Sequence, residues 1–326
     1  MEIRLVTPVG VSRHKPDDLP DLVSRDDGVL WVDIPEGDPD ALPVLAETFG
    51  FHPKAVQDCF QRNPVPKVHV YDDHVFVVLH APEAGSGGHV HYVELDQFVG
   101  HHYLVTVHGP LNPAVDAAVA QIETDTVAAR IDAGRYRPVS APELSTALIS
   151  AVTVRMRDHL SARTTDVWRY EQQVTAGQFG DAEKFLDGMF RVRHGLLTVR
   201  TMASLSDEVY GRMHALALYG ADGQALLENS MDQFHRLAAM ARSQEDYLQG
   251  VIEFYQTRTH TKMTIAAERL AVIAAVTLPI TALSSVMGMN VIVNARTDPV
   301  FVAVLLTWMV LLSALLLVWA KRHGWW

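Results

Sequence analysis

The sequence predicts an α+β domain, then a long helical stalk and two C-terminal transmembrane helices. Three observations carry this prediction. Up to about residue 140, apolar segments of strand length alternate with short helical patterns. No proline interrupts the chain between Pro142 and Pro279. Two uncharged, almost wholly apolar runs, residues 270–287 and 300–320, lie close to the end of the sequence.

In chain order, strands are expected near residues 29–34, 67–71, 75–80, 90–99 and 103–108, and helices near 39–49, 53–60 and 113–130. Gly85-Ser86-Gly87-Gly88 reads as a hairpin or a mobile loop. This order gives a small α/β unit followed by an antiparallel helical region, not a doubly wound nucleotide fold. From about Ala221 the chain reads as one helix of about sixty-five residues, roughly 100 Å long. The expected domains are 1–140 (α/β), 141–262 (helical region and stalk) and 263–326 (transmembrane, with spans at about 268–288 and 299–320).

Both apolar runs can cross a hydrocarbon core of roughly 30 Å. Lys321, Arg322 and His323 follow the second span, and Arg258, Lys262 and Arg269 precede or open the first, whereas the connecting loop carries only Arg296 and Asp298. By the positive-inside rule both termini and the large N-terminal region are expected in the cytoplasm, and the loop outside a cell membrane. Trp325 and Trp326 are expected interfacial anchors. The first five residues show no basic region leading into an apolar core, so no cleavable signal peptide is expected. Cys59 is the only cysteine, which rules out an intrachain disulfide.

The 326 residues are 48% hydrophobic and 20% charged, with a formal net charge of −11. That balance argues against a nucleic-acid partner. No P-loop or other nucleotide motif is present, so no organic cofactor and no enzymatic activity are expected. Sixteen histidines raise the question of metal binding. His89 and His91 share a strand face, and His101 and His102 follow Gly100, but no HExxH or Cys/His cluster occurs. Surface histidines are the expectation. The carboxylates Asp26-Asp27, Asp72-Asp73 and Glu94/Asp96 are expected on solvated surface or in turns.

Within the first span, Thr277, Thr281, Ser284, Ser285 and Gly288 fall largely along one helical face. Such a face either packs helices together or lines an axial path. The leucine-rich second span has no comparable stripe. Two helices per subunit are too few to enclose a water-filled path, so conduction would need a homo-oligomer in the lipid bilayer. Pro279 removes one backbone hydrogen bond inside the first span.

The segment Pro279-Ile-Thr281-Ala-Leu-Ser-Ser-Val-Met-Gly288-Met289-Asn290, with its short loop and second span, resembles the CorA family of magnesium channels. Leu30-Trp31-Val32-Asp33, Pro66-Lys67-Val68-His69-Val70-Tyr71-Asp72 and Tyr103-Leu104-Val105-Thr106-Val107-His108 look like that family's cytoplasmic domain, so the resemblance spans nearly the whole chain. It implies a homopentamer that takes up Mg²⁺ passively, with Gly288, Met289 and Asn290 as the selectivity filter and the Asn290 amide facing the hydrated metal. It places pore-lining positions at Thr281, Leu278, Leu270, Ala267, Thr264 and Glu253, of which Leu278 and Leu270 are hydrophobic constrictions. A regulatory metal position falls at Glu228, Asn229 and Asp232. The sequence departs from the family at Thr264, where many relatives have asparagine, at Glu268, where they have lysine, and in an external loop without the common glutamates. Alternatives are a Zn²⁺, Co²⁺ or Ni²⁺ transporter of the same fold, or a non-conducting membrane-anchored metal sensor.

Overall fold

The computed structural model describes residues 1–85, 88–178, 180–288 and 299–322. It divides into two compact units, Met1–Val251 and Ile252–Trp326.

The first unit is built on a seven-stranded sheet of β1 (Glu2–Val6), β2 (Val11–His14), β3 (Val29–Ile34), β4 (Lys67–Val70), β5 (Val75–Ala84), β6 (Val90–Val99) and β7 (Tyr103–His108). The strand order is β2-β1-β3-β7-β6-β5-β4. Only β3 and β7 pair in parallel, with Trp31 opposite Leu104. Every residue of β3 is buried because both faces of the sheet are covered. On one face Leu30, Val32 and Phe98 pack against α1 (Leu19–Val23), α2 (Ala41–Pro43) and α3 (Pro53–Cys59). On the other, Trp31, Val99 and Leu104 meet Val127 and Ile131 of α4 (Ile122–Asp132) and Leu144 and Leu148 of α5 (Ala141–Ala176).

Strands β3, β6 and β7 lie where the alternation places them. Strand β5 runs past His80 to Ala84 and takes in Pro82. Its neighbour β4 pairs only with Val75 to Val78, so farther along β5 has β6 alone beside it. There the missing proline N–H interrupts no ladder. Strands β1 and β2 escape the periodicity because both are short and carry charge. Arg4, in the middle of β1, is nonetheless buried, with its guanidinium 5.4 Å over the Trp31 ring and Nε donating to Asp132 at 3.2 Å. The expected 39–49 helix is a short turn around Pro43 followed by the wider π-helical turn Val44–Thr48, in which Phe49 N–H donates to the Val44 carbonyl. The 113–130 helix begins as a 3₁₀ turn at Ala117–Gln121.

Helix α5 starts at the Ser140 cap and stops at Gly177, whose φ of 73° suits a residue without a Cβ. Helix α6 (Ala182–Ala215) returns along it, capped by Asp181. Arg155 of α5 ties three elements together. It donates to the carbonyls of Pro82 at 3.1 Å and Val119 at 2.9 Å, and to the carboxylates of Glu123 and Glu83.

Helix α7 (Ala221–Gly288) is continuous through Pro279, and its first part belongs to the first unit, where Thr153 of α5 donates to Gln233 at 2.8 Å. The second unit consists of the rest of α7 and α8 (Pro299–Arg322). Each of these two helices has a stretch long and apolar enough to cross a membrane.

Candidate functional site

All the described candidate positions stand on α7. In the second unit Glu253, Thr264, Ala267, Leu270, Leu278, Thr281 and Gly288 are exposed, with Leu270 and Leu278 each 66% accessible. An uncharged stretch such as residues 270–287, with leucines this open in a single copy, needs other apolar surface around it. Gly288 ends α7, and a Cβ built there meets no atom within 4 Å. Met289, Asn290, the loop 291–298 and residues 323–326 lie outside the described residues.

The two threonines of the polar stripe, and Thr264 farther back on α7, hydrogen-bond to the helix itself. Thr277 Oγ1 donates to the Ile273 carbonyl at 2.8 Å, and Thr281 Oγ1 donates to Thr277 at 2.8 Å. Thr264 Oγ1 does the same to His260 at 3.0 Å. Each hydroxyl proton is therefore used inside the helix, which lets these residues sit among apolar neighbours. The oxygen lone pairs stay available, so these side chains present acceptors and no free donor to whatever lies beside them.

Glu228, Asn229 and Asp232 belong to the first unit and are exposed on α7. Asp232 is ion-paired with Arg236, one turn on. Asp26, Asp27, Asp72 and Asp73 are exposed, as expected of turns.

Glu94 and Asp96 are not on solvated surface: their exposures are 2% and 0%. The alternation in β6 reads as one wet face, but α3 and the segment after it cover that face. Asn63 donates its backbone N–H to Glu94 at 2.8 Å, and its side-chain amide reaches the same carboxylate. Burial raises Glu94, and burial together with the Glu94 charge lifts Asp96 well above the usual carboxylate range. Three histidines also depart from the surface expectation, since His74, His80 and His108 are buried. Burial pushes His80 down to about 4. His108 is different. Burial opposes its charge, but the bond to Asp33 at 3.0 Å and that carboxylate's field raise it. Among the described residues no three His, Cys, Asp or Glu side chains converge as a metal site.

The Arg155 clamp and the buried acid pair are what sequence reasoning missed. Neither leaves a local motif, because their partners are tens of residues away.

A sheet-based α/β domain, a long continuous helix and a second apolar helix define a two-span membrane protein of the divalent-cation transporter type. The chain belongs to the family described as CorA-like Mg²⁺ transporter protein, whose model matches residues 26–322. A protein of Bacillus subtilis (strain 168) named "Putative metal ion transporter YfjQ" is 24% identical over 268 residues, covering 80% of this chain and 78% of that one. The complete CorA magnesium transporter from Methanocaldococcus jannaschii superposes with a TM-score of 0.81 at 14% identity, covering 100% of this chain and 99% of that chain. The full-length CmaX protein gives 0.74 at 16% identity, with 100% and 98% covered. At these identities the two structures are likenesses of fold. The family is one of transporters, and membership together with the two apolar helices makes this a membrane protein.

Proposed function

We propose that the protein is a homopentameric channel for passive Mg²⁺ uptake, with the ring of Gly288-Met289-Asn290 at the pore mouth recognising the hydrated ion. The observation that carries this reading is α7 itself. One continuous helix presents Glu253, Thr264, Thr281 and Gly288 on exposed positions, with the Thr264 and Thr281 hydroxyls donating to carbonyls of the same helix. Mg²⁺ dehydrates reluctantly and keeps its waters. A lining of oxygen acceptors can take hydrogen bonds from those waters without stripping them, and weak multiple contacts of this kind favour conduction. Leu278 and Leu270 would form apolar constrictions that close by dewetting.

In this reading residues 1–140 and 141–262 are the cytoplasmic α/β domain and the helical stalk, and 263–326 is the transmembrane domain, with both termini on the cytoplasmic side of a cell membrane. Glu228, Asn229 and Asp232 form a cytoplasmic metal-sensing position. Uptake needs no nucleotide, because a divalent ion gains about 4.6 kcal/mol per 100 mV of inside-negative potential, twice the unit-charge value.

The test is Mg²⁺ uptake into proteoliposomes under an imposed potential. Wild-type protein should take up Mg²⁺, and Asn290→Ala should abolish uptake while leaving the oligomer intact. No flux of any divalent ion through a correctly assembled oligomer would remove the reading.

A further inference from the structure

One side chain on the proposed conduction face has no role in that reading. His260 stands seven residues after Glu253, four before Thr264 and seven before Ala267. At 3.6 residues per turn those spacings bring all four to one side of α7. The groove along this side is lined by Thr257, His260, Thr261, Thr264, Ile265 and Glu268. The three threonine hydroxyls are engaged with backbone carbonyls: Thr257 with Glu253 at 2.9 Å, Thr261 with Thr257 at 2.9 Å and Thr264 with His260 at 3.0 Å. The His260 imidazole is exposed and has no partner among the described residues. It is the nitrogen donor of a groove whose other polar side chains offer oxygen.

We infer that His260 imidazoles from copies of the chain around the conduction axis form a binding site for divalent transition-metal ions of the Ni²⁺, Co²⁺ and Zn²⁺ class. The inference rests on the conduction reading above, because no single chain holds such a cluster among its described residues and other copies must complete it. Imidazole nitrogen suits these ions, whereas Mg²⁺ takes oxygen ligands and keeps its water. Glu268 in the same groove adds negative charge that attracts any divalent ion without choosing between them. Conduction requires that an ion leave as readily as it enters. A ring of imidazoles therefore passes hydrated Mg²⁺ and retains a transition metal, which then obstructs the path.

The experiment uses the full-length protein in detergent and in proteoliposomes, with Ni²⁺ and Co²⁺ as probes. Ni²⁺ binding is measured by equilibrium dialysis, nitrogen ligation by the visible absorption of bound Co²⁺, and block by titrating Ni²⁺ against potential-driven Mg²⁺ uptake. In His260→Ser the Co²⁺ band should disappear and the Ni²⁺ concentration for half-block should rise about tenfold or more. His101→Ser, which lies in the other unit, should behave as wild type. Equal Ni²⁺ binding and equal block in wild type and His260→Ser would overturn the inference, as would a wild type that binds no Ni²⁺. If the wild type carries no Mg²⁺ at all, the conduction reading fails, yet loss of Ni²⁺ binding in His260→Ser still reports on the site.

Discussion

Asn63 holds the Glu94 carboxylate through two donors, its backbone N–H at 2.8 Å and its side-chain amide. Two residues along the same strand, neither Asp96 carboxyl oxygen has a hydrogen-bond partner among the described residues. The two acids thus share one buried face, and both Asn63 donors fall on Glu94. Ionising both would place like charges in a buried site, and burial together with the Glu94 charge favours the protonated form of Asp96.

A pH dependence follows. Asp96 lies above its ordinary value when folded, so the native state binds this proton more tightly than the unfolded chain does. Its stabilising contribution is full below the ordinary carboxylate value of about 4 and is lost as pH rises toward the folded-state value. The loss runs at up to about 1.4 kcal/mol per pH unit. Asp96→Asn removes the titration and leaves an amide donor for Glu94. Urea unfolding of the full-length protein in detergent should therefore show a flatter alkaline side in the variant, and equal slopes would refute the assignment.

Arg155 gives a second prediction. Its guanidinium meets Glu123 at 3.1 Å, and that carboxylate is only 4% exposed. Arg155→Met strands a buried charge and should destabilise the protein by about 3–5 kcal/mol in the same unfolding assay. Adding Glu123→Gln should recover much of the loss, because the penalty belongs to the unpaired charge.

Thr281 gives a third. Valine has nearly its shape but no lone pairs, and the hydroxyl proton serves only the Thr277 carbonyl. Thr281→Val should assemble normally by size-exclusion chromatography and lose Mg²⁺ uptake several-fold. Unchanged uptake would take Thr281 off the conduction path.

The parts of this fold that announce themselves locally were legible. Residues 270–287 of α7 and 300–320 of α8 are uncharged runs, and β3 and β7 are apolar-rich segments of strand length. Their spans follow from residues that sit next to one another in sequence. What was not legible depends on distant cover. Glu94 and Asp96 alternate like a wet strand face until Asn63 and Cys59 close over them. Glu2 and Arg4 make β1 look solvated until Asp132 supplies the counter-charge. Pro82 reads as a strand end unless β4 is known to stop short of it. The candidate site positions come from the family resemblance, and because α7 is one helix their spacing along the chain is their spacing along it. The far end of the site, Met289 and Asn290, lies outside the described residues, and their roles rest on the family resemblance.

The most direct test of passive divalent conduction is Mg²⁺ accumulation in proteoliposomes as a function of imposed potential, starting from equal Mg²⁺ on both sides and without nucleotide. At 100 mV inside-negative the driving energy of about 4.6 kcal/mol corresponds to an equilibrium ratio on the order of a thousandfold. The account predicts net entry that grows with inside-negative potential, vanishes at zero and reverses when the sign is reversed. Entry that ignores the potential, or appears only with added nucleotide, would contradict it.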